Sequence, residues 1–242
     1  MSAVAEILQE FSPDILGALI ERLEPEEQGE FFRLMQDEEH SLIEEECKAK
    51  PLYWLRNHTL TENEQYQKEG LPFKAPFPCK PYSGCERDYY DLLFEQFAIK
   101  PKVFVPKSRD MMTSWSAVGW GSHQGQFFKA TTVAQTESED KAKQLVKYAH
   151  ILYHNQPEWL KAKYPLATDS TLYLEWRDGG RFFGIPCGET KIRIHHPTIY
   201  IMDEASFLPG AQALYDAAHP VAGQIIAISS AGEGWFMNQC SR

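Results

Sequence analysis

One stretch of the chain, residues 103–115, constrains the fold more than any other. Its sequence VFVPKSRDMMTSW contains a short apolar segment, a turn with a lysine and an arginine, and two hydroxyl residues that open a predicted helix. A strand, a loop and a helix in this order form a phosphate-binding loop when backbone N–H groups converge at the helix N-terminus. The stretch therefore has the layout of a nucleotide site at the end of a strand, but its spacing alone does not establish one.

The loop departs from the common pattern G-x-x-x-x-G-K-S/T. When it is aligned on that pattern, Ser114 takes the hydroxyl position that contacts Mg²⁺, and Lys107 takes the place of the first glycine. Met112 and Thr113 replace the second glycine and the usual lysine. The alternative is an ordinary strand, turn and helix with a solvated Lys107 and Arg109. The residues predicted to bind ATP are Lys107, Ser108, Arg109, Asp110, Met111, Met112, Thr113 and Ser114.

Two adjacent carboxylates follow a second apolar segment, residues 199–202. They are Asp203 and Glu204. In open α/β sheets, ligands bind outside the carboxyl ends of the strands, so we expect Asp203 to lie close to the phosphate loop, on a neighbouring strand. Asp203 can hold Mg²⁺ together with Ser114, and Glu204 can deprotonate the attacking water. The pair predicts a magnesium site and a general base.

A third apolar segment, residues 224–228, ends in small residues. Ser229, Ser230 and Ala231 follow it directly. Short side chains at the tip of a strand can sense a γ-phosphate and transmit its loss to the residues beyond. We therefore predict a coupling role for these three residues.

In this order, the three motifs resemble the Walker A, Walker B and coupling segments of a tailed-phage DNA-packaging terminase, large subunit. That family commonly moves the lysine to the front of the loop, as Lys107 is placed here. The resemblance extends from about residue 50 to the C-terminus. It implies an α/β fold, namely a three-layer P-loop ATPase with a mainly parallel central sheet. The family's downstream nuclease domain has no room before Arg242, so nuclease activity is not expected from this chain.

The same resemblance implies ligands and partners. ATP and Mg²⁺ are the expected cofactors, and double-stranded DNA is the expected cargo. The expected protein partners are a portal protein, a small terminase subunit and further copies of the chain in a homo-oligomeric ring. The region upstream of the loop is expected to pack around the adenine, with Tyr53 and Trp54 as candidates because an aromatic face can stack on a purine. Alternatively, both aromatic residues belong to the core.

The first 50 residues form an acidic extension with a helical pattern. Apolar residues recur at helical spacing within residues 7–23 and 31–35, and a third helix is predicted through residues 41–46. The extension either packs on the ATPase core or docks a neighbouring subunit or partner, and its residues do not decide between the two. We predict a helical extension at 1–50 and an ATPase domain at 51–242.

Charge and hydropathy narrow the class of protein. The chain holds 24 Lys and Arg against 34 Asp and Glu, a formal net charge of −10. An acidic total argues against a protein that coats nucleic acid, but a motor needs only a local basic patch facing its channel. The sequence has no run of 18 apolar residues and no charged-then-apolar leader, so we expect no membrane partner and a cytoplasmic location. The resemblance to the terminase family implies that this is the cytoplasm of the host cell. Five scattered cysteines fit reduced thiols.

Several local patterns predict further structure. The glycines at 119, 121 and 125 predict a short or broken helix after the phosphate loop, and residues 127–134 have a strand pattern. Ser138 is a predicted helix cap, and Asp178-Gly179-Gly180 predicts a hairpin.

Two further polar patterns have both a functional and a structural interpretation. His150 and His154 stand four residues apart, as metal ligands can, but the sequence shows no third ligand, which favours a pair at the surface or in the core. Arg193 is a candidate for an arginine that acts on a neighbouring subunit's site, with a structural salt bridge as the alternative.

Together these patterns predict the ATPase motor domain of a terminase large subunit, which hydrolyses ATP to translocate double-stranded DNA into a procapsid. The alternative is a non-hydrolysing assembly protein whose degenerate nucleotide fold docks onto a portal or a small terminase subunit. The missing loop glycines favour that alternative.

Overall fold

The structure is a computed structural model that describes residues 17–18, 20–62, 68, 70, 72–78, 88–188, 196–230, 232 and 234–241. The chain divides into two compact units after Ala49. The first unit contains helix α1 (Pro25–Ala49), which is continuous for 25 residues. It joins two helices that the sequence predicted separately, because no proline follows Pro25 within it. Most of the helix predicted at 7–23 lies outside the described residues.

The second unit, Lys50–Arg242, contains the other helices and strands. Its helices are α2 (Pro51–Asn57), α3 (Tyr89–Ile99), α4 (Thr113–Phe128), α5 (Glu139–His154), α6 (Glu158–Lys163), α7 (Ala211–Ala218) and α8 (Trp235–Cys240), with a 3₁₀ turn at Ala205–Phe207. Its strands are β1 (Thr61–Glu62), β2 (Lys74–Ala75), β3 (Lys102–Lys107), β4 (Thr131–Thr136), β5 (Leu166–Ser170), β6 (Tyr173–Trp176), β7 (Arg181–Pro186), β8 (Ile199–Asp203) and β9 (Gln224–Ser230).

A seven-stranded sheet forms the middle of this unit. The strand order is β3-β9-β8-β4-β7-β6-β5, and the first five strands run parallel. Strands β6 and β5 complete the sheet in antiparallel pairings. Every residue of β8 is buried, as expected for a parallel strand that is covered on both faces.

Helices cover both faces of the sheet. Helices α4 and α5 pack against one face, and α7 and α8 pack on the other. On the second face, Tyr200 and Met202 of β8 and Ile225 of β9 form a core with Leu214 and Phe236 from the helices. The three-layer α/β architecture with a mainly parallel sheet is therefore confirmed.

Helix α4 contradicts one expectation from the sequence. It is continuous over 16 residues, so the prediction of a short or broken helix is wrong. Its glycines are contact points, because a Cβ at each would lie within 3 Å of a neighbouring side chain. Packing on nearly all sides of α4 outweighs the low helix propensity of glycine. The glycines and the side chains that they face are Gly119 with Leu55, Gly121 with Thr132, and Gly125 with Trp176.

Other local predictions are confirmed or shifted. The Ser138 hydroxyl caps α5 by accepting a hydrogen bond from the backbone N–H of Lys141 at 3.4 Å. The turn at 178–180 joins the antiparallel strands β6 and β7, as predicted. The strand predicted at 127–134 begins later, because Phe128 ends α4 and Lys129 adopts a left-handed conformation there (φ 59°). Among the residues that the structure describes, no helix has the length and hydrophobicity that a bilayer crossing requires.

Candidate nucleotide site

The loop at 108–112 connects the carboxyl end of β3 to the N-terminus of α4. Asp110 and Met112 adopt left-handed conformations in it (φ 62° and 48°). Met112 stands at the cap position, where methionine has no oxygen to accept from the first-turn N–H groups. The N-terminus of α4 therefore lacks the usual side-chain cap and suits an anion.

Two tyrosines that the sequence analysis missed hold this loop. The hydroxyl groups of Tyr89 and Tyr90 donate hydrogen bonds to the carbonyl oxygen of Met111, at 2.9 and 3.3 Å. Both tyrosines lie at the start of α3, which Asp88 caps by accepting from the Tyr90 N–H at 2.8 Å. The adjacent tyrosines are visible in the sequence, but their contact with the loop depends on how α3 packs.

The two predicted magnesium ligands are in direct contact. The Ser114 hydroxyl donates a hydrogen bond to Asp203 Oδ1 at 2.7 Å. Asp203 is the last residue of β8, and Ser114 lies in the first turn of α4. The expectation that their strands are neighbours is wrong, because β9 lies between β3 and β8. The contact forms because α4 brings Ser114 across β9.

The predicted base is paired with the loop lysine. Lys107 Nζ lies 2.7 Å from Glu204 Oε1, and both side chains are largely shielded from solvent. The other carboxylate oxygen of Glu204 accepts from the Ser230 N–H at 3.2 Å, the Ser230 hydroxyl at 3.0 Å and the Ser229 hydroxyl at 3.4 Å. One carboxylate thus connects the phosphate loop, the carboxylate pair and the predicted coupling residues.

The two carboxyl groups have opposite pKa shifts. Burial raises the pKa of Asp203, and the hydrogen bond from Ser114 with the nearby charges of Lys107 and Lys141 offsets only part of this effect. Burial also acts to raise the pKa of Glu204, but the hydrogen bonds from Lys107 and Ser230 outweigh it and lower that pKa. Glu204 is therefore a carboxylate at neutral pH.

A cavity of about 550 Å³ opens beside these pairs. Among the described residues, the buried hydroxyl of Thr113 in its wall has no hydrogen-bond partner. Such an unpaired group costs free energy, which a polar ligand in the cavity would recover. The stacked rings of Trp115 and Tyr148, 4.0 Å apart, also line the cavity. The full lining is Glu62, Lys68, Phe73, Lys107, Asp110, Met111, Met112, Thr113, Ser114, Trp115, Gln144, Lys147 and Tyr148.

The remaining predicted site residues lie in different places. Ser108 and Arg109 are exposed in the loop and do not line the cavity. Trp54 is fully buried, and its indole N–H donates to Gln156 at 3.2 Å, which places it in the core. Tyr53 does not line the cavity either, so its contact with an adenine stays a prediction. Two predicted residues, Ala231 and Arg193, lie outside the described residues.

The tip of β9 is bonded to the turn that follows Glu204. The Ser206 N–H donates to the Ser229 hydroxyl at 3.1 Å, and the Ser206 hydroxyl donates to the Ser230 carbonyl oxygen at 3.3 Å. A displacement of Glu204 would therefore be felt at two consecutive residues of β9.

Solved structures of phage large terminases are similar to this fold. The crystal structure of the HK97 bacteriophage large terminase matches 76% of this chain with a TM-score of 0.53 at 11% sequence identity. The chain has the fold of a phage large terminase. It spans 38% of the length of the HK97 protein. The large terminase ATPase domain of Thermus phage P74-26 has a TM-score of 0.45 at 14% identity, with 74% of each chain covered. No family model and no curated protein matches the sequence.

Within this terminase fold, the three motifs meet at the carboxyl ends of β3, β8 and β9. The resemblance inferred from Lys107, Asp203 and Ser229 is thus confirmed at the level of the fold. The predicted site residues contact one another there: Glu204 is bonded to Lys107 and Ser230, and Asp203 to Ser114. Lys107 and Ser114 also line the cavity.

Proposed function

We propose that this chain is the ATPase motor domain of a phage terminase large subunit and that it hydrolyses ATP to translocate double-stranded DNA. The observation that carries the proposal is the convergence on Glu204, which is bonded at once to Lys107 of the loop strand and to Ser230 of β9. Ser114 and Asp203 are in contact beside it. A lysine, a metal-binding pair and a general base are the parts that phosphoryl transfer requires.

The residues present fit a magnesium nucleotide. Ser114 and Asp203 would hold Mg²⁺ through a hydroxyl and a carboxylate oxygen, which are oxygen ligands that this ion prefers. Lys107 and the first turn of α4 would hold the phosphates, and the buried Thr113 hydroxyl would gain a partner. When bound, Mg²⁺ neutralises negative charge on the phosphate oxygens.

Lys107 and Glu204 neutralise each other in this structure, so neither is free for catalysis. An incoming phosphate would compete with Glu204 for Lys107. Without Lys107, Glu204 loses an interaction that lowers its pKa, so it becomes a better acceptor for a proton from water. The Ser230 N–H and hydroxyl would keep the carboxylate oriented after Lys107 leaves. Lys107 thus keeps Glu204 from acting as a base until nucleotide binds.

The coupling role proposed for Ser229, Ser230 and Ala231 follows from the same contacts. A change at Glu204 when phosphate leaves would alter its hydrogen bonds to Ser229 and Ser230. Because Ser206 is also bonded to both serines, the turn after β8 and the tip of β9 would move together. This shared movement is the proposed route from phosphate loss to the residues beyond β9.

The remaining proposals rest on the terminase fold. We assign double-stranded DNA as the cargo, with a portal protein, a small terminase subunit and a homo-oligomeric ring as partners in the host cell cytoplasm. Arg193 stays a candidate for an arginine that acts on a neighbouring subunit's site, with a structural salt bridge as the alternative. The assignments of residues 1–50 as a helical extension and 51–242 as the ATPase domain belong to the same proposal.

The test is phosphate release from the purified chain with Mg-ATP, with and without duplex DNA. Glu204→Gln should lower turnover by about 10²- to 10⁴-fold, because a general base contributes roughly that factor. Its affinity for ATP, measured by calorimetry, should stay near the wild-type value. Glu158→Gln is the matched control, since this glutamate is exposed on α6 and should leave turnover unchanged. Equal turnover in Glu204→Gln and wild type would reject the base assignment.

Lys107→Ala tests the binding half of the proposal. We expect its ATP affinity to fall by about tenfold or more, because a charged hydrogen bond contributes roughly 1.5–3 kcal/mol. Wild-type affinity in this variant would show that the loop is an ordinary turn. ATP binding by the wild-type chain without any turnover, even with DNA, would mean either that a neighbouring subunit supplies a missing arginine or that the chain is the non-hydrolysing docking protein.

A further inference from the structure

His150, His154 and Asp169 form a cluster outside the lining of the nucleotide cavity. The two histidines stand one turn apart near the end of α5, and Asp169 lies on β5. One ligand atom from each residue lies within 4.8 Å of the other two. The sequence shows the histidine pair but not the third member, because Asp169 reaches α5 only through the packing of the sheet.

Both histidines face the same carboxylate. His150 Nδ1 lies 2.7 Å from Asp169 Oδ1, and His154 Nε2 lies 2.8 Å from Asp169 Oδ2. The two imidazole rings are nearly parallel, with centroids 6.0 Å apart and an interplanar angle of 3°. Two nitrogens and a carboxylate are thus gathered from two different elements.

The hydrogen bond of the second ring nitrogen of His150 limits what the cluster can bind. His150 Nε2 lies 2.8 Å from the Ser170 carbonyl oxygen, which can only accept, so Nε2 carries a hydrogen. In the neutral ring, the Nδ1 lone pair then points at the Asp169 carboxylate. Two lone pairs at 2.7 Å repel unless the two atoms share a proton, or bind one metal cation that spreads them to roughly 3.3 Å. Metal-binding histidines show this arrangement, donating the other ring N–H to a carbonyl or carboxylate.

We propose that His150, His154 and Asp169 bind a divalent transition-metal ion, Zn²⁺ being the best fit. Imidazole nitrogens with one carboxylate suit Zn²⁺, which accepts three protein ligands and water at the fourth position. Ligand atoms on one tetrahedral Zn²⁺ stand roughly 3.3 Å apart, since each bond is about 2.0–2.1 Å. Side-chain rotation would close the widest spacing of up to 4.8 Å and open the two N–O contacts of 2.7 and 2.8 Å toward that value. His154 and Asp169 are exposed enough to rotate.

Binding would cross-link two elements of the fold. Strand β5 stands at the end of the strand order, next to β6, and the metal would tie it to α5. None of Ser114, Asp203 and Glu204 is a ligand of this site, so the inference goes beyond the proposed ATPase function. The expected effect is a more stable edge of the sheet, because an ion that binds only the folded state stabilises that state.

The test is Zn²⁺ titration of the full chain by calorimetry, without nucleotide, beside three variants. The wild type should bind one Zn²⁺ per chain at this site with a micromolar dissociation constant and a rise in Tm. His154→Ala and Asp169→Asn should each weaken this binding by about tenfold or more, since losing even an outer partner of a metal ligand costs roughly 10- to 100-fold. His219→Ala, which removes an exposed histidine elsewhere, should bind as the wild type does.

Absorption spectra of the chain with Co²⁺ in place of Zn²⁺ would show whether a cysteine binds the metal. Imidazole and carboxylate ligands give weak visible bands, whereas thiolates add an intense near-ultraviolet charge-transfer band. Circular dichroism confirms that each variant is folded, and His154→Ala keeps the test valid if the Asp169 variant is not. Unchanged Zn²⁺ affinity in folded His154→Ala, or no Zn²⁺ binding by the wild type, would overturn the proposal and assign a proton to the cluster.

Discussion

The surroundings of Asp203 disfavour the charged form of its carboxyl group. The side chain is buried at the end of β8, and burial raises its pKa above the ordinary value for aspartate. Its hydrogen bond from Ser114 and the charges of Lys107 and Lys141 compensate incompletely. A carboxylate kept under such conditions lowers the stability of the fold, and functional sites commonly carry such costs. The magnesium role proposed for Asp203 gives the reason for keeping it.

We predict that Asp203→Asn is more stable than the wild type at neutral pH. The variant removes the group whose raised pKa costs stability at neutral pH, but it retains an oxygen that can accept from Ser114. The Tm should rise by a few degrees, since about 1 kcal/mol moves the Tm of a domain of this size by roughly 2–4 °C. Because the pKa of Asp203 is raised in the fold, the wild-type carboxyl becomes neutral as pH falls through that pKa. The difference between the two proteins should therefore shrink at acid pH.

Thermal unfolding followed by circular dichroism measures this difference. Asp37→Asn in α1 is the control, because that aspartate is exposed and its substitution should leave the Tm near the wild-type value. Phosphate release should be lost in Asp203→Asn and retained in Asp37→Asn. A lower Tm for Asp203→Asn at neutral pH would show that the charge stabilises the fold, contrary to the electrostatic argument.

At the scale of elements, the continuity of helix α4 depends on its packing contacts rather than on helix propensity. A Cβ at Gly121 would lie 2.6 Å from Thr132 Cγ2 and 3.1 Å from Phe182 Cε2. Thr132 cannot easily move away, because it is buried and its hydroxyl donates to the Gly121 carbonyl oxygen at 3.2 Å. Helix α4 carries Thr113 and Ser114, so its close approach to the sheet also sets the position of the candidate site.

We predict that the same substitution has opposite effects in two helices. Gly121→Ala should destabilise the fold, because overpacking costs about 1–3 kcal/mol and the gain in helix propensity is only about 1 kcal/mol. Gly29→Ala in α1 should stabilise its helix by up to that gain, because nothing lies within 4 Å of the added Cβ. Urea unfolding of both variants measures the two changes. A Gly121→Ala protein as stable as Gly29→Ala would show that α4 can shift away from the sheet.

The same contrast separates what the sequence predicts from what it does not. The buried strands β8 and β9, the Ser138 cap and the hairpin at 178–180 depend on local patterns, and each was predicted. The continuity of α4 depends on Leu55, Thr132 and Trp176, which lie elsewhere in the chain. Strand order is likewise a property of the whole sheet, so the position of β9 between β3 and β8 could not be deduced from either strand.

In the candidate site, too, the residues could be predicted from local patterns, but the contacts between them could not. Lys107 and Ser114 were predicted as site residues from the phosphate-loop pattern, and Asp203 and Glu204 from their place after a strand. Their pairing, Lys107 with Glu204 and Ser114 with Asp203, required the structure. Tyr89 and Tyr90 bond to Met111, and Asp169 lies close to two histidines. Each contact joins separate segments of the chain, and no sequence pattern indicates it.

At the scale of the whole molecule, the acidity is concentrated in one unit. Residues 1–49 hold 14 Asp and Glu and 3 Lys and Arg, a formal charge of −11, and residues 50–242 hold 20 and 21, a charge of +1. The unit with the proposed ATPase site is therefore nearly neutral. A polyanion such as DNA would be repelled by the first unit and not by the net charge of the second.

We predict that neutralising exposed acids of α1 strengthens DNA binding by the full chain. In a variant with Glu26, Glu30, Glu39 and Glu45 changed to Gln, the formal charge falls in magnitude from −10 to −6. Affinity for duplex DNA, measured by fluorescence anisotropy, should rise several-fold at low ionic strength. The gain should shrink at about 0.15 M salt, where the Debye length of about 8 Å screens exposed charges.

A neutral variant of the same helix separates charge from structure. Gln36→Ala with Ser41→Ala alters two exposed positions of α1 without changing its charge, so DNA affinity should not change. If the four-Gln variant bound DNA no better than this control at low salt, repulsion by the extension would be excluded. The excess of acids would then be explained by a protein surface that it contacts. That result would favour the docking interpretation of residues 1–50, because eleven net negative charges complement a basic partner surface.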